Sequence, residues 1–151
     1  MRVIFLDIDG VLATDESSEQ PNHELYAYPF DKDCVDIFND ILLETGAEIV
    51  LSSDWRLMYQ DIETLNLLFK HNGIIKSPVD VTGDLSSRAK EIEAYVRVNR
   101  VSSFVILDDM DLKIFPDRFV RCNINEGIKE VGIKEKIKSV FKLPPKKNPL
   151  D

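Results

Sequence analysis

Residues 2–12, RVIFLDIDGVL, constrain the fold more than any other stretch of the chain. Val3, Ile4, Phe5 and Leu6 form an apolar run long enough for a strand buried on both faces and too short for a helix. Asp7 and Asp9 follow where the run stops, and Gly10 lets the backbone turn sharply. Two carboxylates beside an apolar strand are costly to bury unless something offsets their charge. Mg²⁺, which favours carboxylate and carbonyl oxygens, is the obvious compensation. Taken alone, an Asp-x-Asp is better read as an Asx-type turn in which short acidic side chains cap the backbone. Three further features shift that balance.

The second is AEIVL at 47–51, another buried strand, ending in Ser52-Ser53-Asp54-Trp55-Arg56. Hydroxyls between a strand end and a helix start sit where backbone N–H groups and the helix dipole favour an anion. The same residues can simply cap the helix, and the two roles are compatible. The third is a cationic helix start. Arg88 and Lys90 lie in the first turn of a helix predicted from about Ser87 to Asn99. That is the wrong end for a cation to complement the dipole, so a positive charge there is more easily explained if it meets an anion. The penalty is only ~0.3–1 kcal/mol, so a solvated surface charge keeps a share. The fourth is FVILDD at 104–109, a third buried strand ending in Asp108 and Asp109 with Asp111 close behind.

Between these motifs the spacing predicts a helix over 33–45 (Val35, Phe38, Ile41, Leu42) stopped by Gly46, and one from about 55 to His71 ended by Asn72-Gly73. Ile74 and Ile75 suggest a short edge strand limited by Pro78, with loop over 76–87. FVRC at 119–122 reads as a fourth strand and 132–141 as a last helix. Residues 13–32 read as a loop or flap, whose Tyr26, Tyr28, Pro29 and Phe30 either line an entrance or, more simply, tack the loop down. His23 reads as a solvated side chain. LPPKKNPLD, 143–151, reads as a loose tail after one domain spanning 1–142.

Strand, helix, strand, helix, strand in buried-strand composition implies an α/β domain. Its parallel sheet would have right-handed crossovers and helices on both faces. Ligands in such sheets bind outside the carboxyl ends of the strands, where Asp7, Asp9, Ser52, Asp108 and Asp109 all fall. The length of 151 residues suits one domain. A net charge of −8 disfavours non-specific nucleic-acid binding but leaves room for a local basic groove. Cys34 and Cys122 lack metal-ligand spacing and read as reduced core thiols. With no signal peptide or membrane-length apolar run in the sequence, the expected location is cytoplasmic.

DIDGVL, IVLS and ILDDMD together resemble the motifs of the haloacid dehalogenase (HAD) superfamily, in its phosphatase branch, over roughly residues 2–130. VLSSDWR, RAKEI and ILDD further resemble the HAD-like domains of Swiss Army Knife RNA-repair proteins. The resemblance implies a Rossmann-like three-layer sandwich with a mostly parallel sheet. It implies a Mg²⁺-dependent phosphatase in which Asp7 is the nucleophile and Asp9 the acid/base. Asp7, the Asp9 carbonyl and Asp109 would ligate the metal, with Asp108 behind or in place of Asp109. Ser52 would bond the phosphoryl group, Gly10, Ser53 and Arg56 would complete its cradle, and Arg88 or Lys90 would be the third-motif cation. An acid at position 9 argues against the dehalogenase branch, which has no leaving oxyanion to protonate. Only a loop of about twenty residues and a short linker occupy the usual lid positions, so the site should be open, as for nucleic-acid ends or protein phosphoresidues. A terminal phosphate on a nucleotide or nucleic-acid strand is the expected substrate. The alternatives are a non-catalytic module that binds a phosphoryl ligand, and a phosphoacceptor signalling domain, for which the order of acidic strands is wrong.

Overall fold

The computed structural model describes residues 1–17, 30–58 and 61–147. Its elements in chain order are β1 (Arg2–Leu6), α1 (Lys32–Thr45), β2 (Glu48–Leu51), α2 (Trp55–Met58), α3 (Ile62–His71), β3 (Asp80–Val81), α4 (Arg88–Asn99), β4 (Ser103–Asp108), β5 (Phe119–Arg121) and α5 (Ile133–Phe141). The strands form one five-stranded sheet in the order β3-β2-β1-β4-β5, every pairing parallel. The expected α/β architecture, a parallel Rossmann-like sheet between helical layers, is therefore present.

The period of two along each strand divides the core. Ile4 and Leu6 of β1, Ile49 and Leu51 of β2, and Val105 and Leu107 of β4 face the layer built by α1, α3 and α5. Val3, Phe5, Val50, Phe104 and Ile106 face the opposite way, onto Ile92 and Val96 of α4. Because β1 and β4 are buried on both faces, their sequences show continuous apolar runs rather than alternation.

The central ladder continues past the named strands. The Asp7 N–H donates to Leu107 O (3.0 Å), Ser52 N–H to Leu6 O (3.0 Å), Thr82 N–H to Leu51 O (3.0 Å) and Cys122 N–H to Asp108 O (2.9 Å). Backbone hydrogen bonding thus fixes Asp7, Ser52, Thr82 and Asp108 along one edge of the sheet.

Several expectations need correction. The helix expected from 55 to 71 is two: α2 ends at Met58, and Asp61 caps a separate α3 by accepting from Thr64 N–H (2.7 Å). Ile74 and Ile75 form no strand, because Ile74 N–H returns to Phe69 O (3.0 Å) and prolongs the end of α3. The edge strand is instead β3, inside the stretch read as loop, pairing Asp80 with Val50 and Val81 with Leu51. The tail is not loose as far as Lys147: Lys146 N–H donates to Ser102 O (2.9 Å), and Arg118 Nη2 donates to Pro144 O (2.5 Å). Tyr26, Tyr28, Pro29 and His23 lie outside the described residues. Phe30 takes the plainer of its two roles, packing edge-on against Phe69 (5.5 Å between centroids) and tilted against Trp55 (5.9 Å). Among the described residues no helix is long and apolar enough to cross a membrane.

Candidate active site

Parallel pairing of β1 with β4 brings Asp7 beside Asp108 and Asp109. One oxygen from each of the three carboxylates lies within 4.8 Å of the other two. Asp7 and Asp108 are buried and Asp109 is half-buried. Burial first, and then the neighbouring Asp108 carboxylate, push the Asp7 carboxyl up to about 9, while Arg88 pulls it down. Burial also raises Asp108, against the opposing effects of the Met110 N–H and Arg88.

Gly10 makes this crowding possible. Its φ is +80°, and a Cβ there would stand 2.6 Å from both Cβ and Cγ of Asp109. A side chain at position 10 would therefore combine left-handed backbone strain with a collision against the acid cluster. Gly10 shapes the site through this missing Cβ.

Arg88 enters the cluster from the start of α4. Its Nη1 lies 3.0 Å from Asp108 Oδ2 and 3.3 Å from Asp7 Oδ2, and its Nη2 lies 3.2 Å from Asp54 Oδ1. Burial works against its charge, but Asp7 and Asp108 hold it firmly protonated. Ser87 caps α4 by accepting from Lys90 N–H (3.3 Å), which fixes where the helix starts and where Arg88 points. The Lys90 side chain is exposed and makes no contact with the cluster. Of the two candidate cations, the fold brings only Arg88 to the carboxylates.

The loop after β2 separates its residues by role. Ser52 is fully buried, and its Oγ has no hydrogen-bond partner among the described residues. Thr82 Oγ1, at the neighbouring strand end, is likewise buried and unpartnered. An orphaned hydroxyl normally costs about 1–3 kcal/mol, so a polar ligand at this edge would relieve it. Ser53 Oγ instead accepts from Trp55 N–H (3.2 Å) and caps α2.

Arg56 does not suit the expected role of phosphate ligand. Its Nε donates to Thr82 O (3.1 Å), its Nη1 to Ser53 O (2.8 Å) and Ser52 O (3.3 Å), and its Nη2 to Gly83 O (3.0 Å). Nη2 also pairs with buried Glu91 at 2.9 Å. With its fork engaged by carbonyls and Glu91, Arg56 is a strut holding the β2 loop against the β3 loop.

Trp55 reaches the cluster's edge through a contact that the sequence does not announce. The Asp9 carboxylate is exposed, and its Oδ2 accepts from Trp55 Nε1–H at 3.0 Å. In the sequence Trp55 stands only inside the Ser52–Arg56 stretch, and nothing there links it to Asp9.

A hard divalent cation fits this donor set. The clustered groups are carboxylates, and burial together with mutual repulsion makes their full ionisation unfavourable without more positive charge than Arg88 supplies.

A parallel sheet that delivers acids from two adjacent strand ends, with a buried hydroxyl and a guanidinium beside them, defines a HAD-like α/β domain. The chain belongs to the family described as "HAD domain in Swiss Army Knife RNA repair proteins", which matches residues 3–133. No curated protein and no solved structure matches it.

Proposed function

We propose that the chain is a Mg²⁺-dependent phosphatase that hydrolyses the terminal phosphate of a nucleotide or nucleic-acid strand. The observation that carries this reading is the convergence of Asp7, Asp108, Asp109 and Arg88 at the edge where Ser52 holds an unpartnered buried hydroxyl. Membership of a family of RNA-repair HAD domains supports the substrate class.

Asp7, the Asp9 carbonyl and Asp109 would hold the metal. Asp109 suits direct ligation better than Asp108, whose Oδ1 accepts from Met110 N–H and whose Oδ2 meets Arg88. When bound, Mg²⁺ offsets the charge that would otherwise repel a phosphate dianion from a carboxylate nucleophile. Asp7 attacks phosphorus and carries the phosphoryl group as an aspartyl-phosphate. Asp9, held by Trp55, protonates the leaving oxygen and then takes a proton from the water that hydrolyses the intermediate. Arg88 steadies charge on the transferring group, and Ser52 Oγ donates to one of its oxygens. The unpaired, buried thiols of Cys34 and Cys122 support a reducing, cytoplasmic setting.

The test is phosphate release from p-nitrophenyl phosphate with and without EDTA, beside thermal melting with and without Mg²⁺. Release that needs Mg²⁺, together with a Mg²⁺-induced rise in Tm lost in Asp109→Asn, is the expected result. Tight binding of phosphate esters without release would instead favour a non-catalytic binding module.

A further inference from the structure

One cavity is lined by Asp109 of the acid cluster and a second by Asp9 and Gly10, and the two share Ile124 as a wall. One, of about 420 Å³, is lined by Asp9, Gly10, Ala13, Thr14 and Asp15. The other, of about 440 Å³, is lined by Asp109, Arg121, Asn123 and Glu130.

We propose that Arg121 binds the penultimate phosphate of a strand whose terminal phosphate is at Asp7. The intervening nucleoside then occupies the cavity beside Asp9. This rests on the phosphatase reading above.

Asp9 protonates the leaving oxygen, so the leaving group must extend into the space that Asp9 lines. That space carries Asp9 and Asp15 and, among its described lining residues, no Lys or Arg. It therefore suits an uncharged, hydroxyl-bearing unit, a nucleoside, and disfavours a second phosphate. The next anion is better placed across Ile124, where the guanidinium stands.

Arg121 is prepared for that contact. Its Nε donates to Asp109 O at 2.9 Å, which anchors the planar group at the site edge. Its terminal nitrogens make no hydrogen bond and no ion pair within 4 Å with any described residue, and its charge is felt only weakly by Asp111, whose carboxyl is held low chiefly by Lys113. Arg56 and Arg88, by contrast, are engaged within the fold, and Lys129 is held by Asp31 and Glu16. A guanidinium fork matches phosphate geometry better than a point charge does. Glu130 lines the same cavity and opposes a diffuse anionic field, so recognition depends on this one directed contact. The net charge of −8 points the same way: a long polyanion gains little beyond the first linkage.

The test compares dinucleotides that carry a terminal phosphate and are joined by either a phosphodiester or an uncharged methylphosphonate. In the wild-type protein, kcat/KM should fall about tenfold when the linkage loses its charge, as for loss of one charge-assisted hydrogen bond. In Arg121→Gln the ratio between the two substrates should shrink to within about twofold; reading the ratio within one preparation cancels any general loss of activity. Equal kcat/KM for the two linkages in the wild type, or a full gap surviving in Arg121→Gln, would overturn the proposal. No release from these substrates or from p-nitrophenyl phosphate would overturn the phosphatase reading itself.

Discussion

Trp55 has two tasks at one position. Its ring packs against Phe30 in the core, and its indole N–H holds the Asp9 carboxylate. The link spans 46 residues, so no local pattern announces it. Arg56 illustrates the opposite error. Beside a hydroxyl motif an arginine reads as a phosphate ligand, but its partner Glu91 lies on another element, and only the fold reveals that its donors are occupied. Asp7 and the Asp108–Asp109 pair were legible, because each follows an unbroken apolar run whose end must lie at the sheet edge. Trp55→Phe keeps the aromatic packing and removes the donor. We expect kcat/KM for an alkyl phosphate to fall about tenfold relative to p-nitrophenyl phosphate, because a loosely held acid matters most for a poor leaving group. Equal losses on both substrates would reduce Trp55 to a packing residue.

At the scale of elements, legibility followed length. β3 has two residues, too few for periodicity to register, whereas the apolar Ile74 nearby is accounted for by the end of α3. The break between α2 and α3 was hidden because apolar residues continue at helical spacing across it, although Asp61 is an ordinary cap. The start of α1 shows what one cap can hold together. Asp31 accepts from the N–H groups of Asp33 and Cys34, from Thr14 Oγ1 (2.9 Å) and from Lys129 Nζ (2.7 Å). It thereby joins the loop after β1, the helix and the 3₁₀ turn at Gly127–Lys129. Burial pushes its carboxyl up, but the bonds from Lys129, Thr14 and the Cys34 amide outweigh burial and hold it below the ordinary 3.8. A carboxyl depressed on folding stabilises fully above its unfolded value, and that stability is lost as pH falls through the folded value. Asp31→Ala should therefore cost about 2 kcal/mol at pH 7, or roughly 4–8 °C in Tm. The gap from wild type should narrow once the pH drops below about 3.8, measured by thermal melting at both pH values. A gap independent of pH would contradict the ionic part of this account.

At the scale of the molecule, a central strand flanked on both sides by parallel partners concentrates every chemical group on one edge. β1 lies between β2 and β4, so Asp7 has the Ser52 loop on one side and the acidic pair on the other. That arrangement was readable from strand order and composition, because parallel crossovers leave few topologies open. The choice between Arg88 and Lys90 was not, since both occupy one helical turn and only the cap at Ser87 aims the first inward. Asp7 as nucleophile is the central assignment, and the most direct measurement is turnover of p-nitrophenyl phosphate by Asp7→Asn in saturating Mg²⁺. That role predicts a loss of at least about a thousandfold in kcat, as when a nucleophile is removed from other enzymes. Turnover within about tenfold of wild type would contradict it, because removing a true nucleophile costs far more than that.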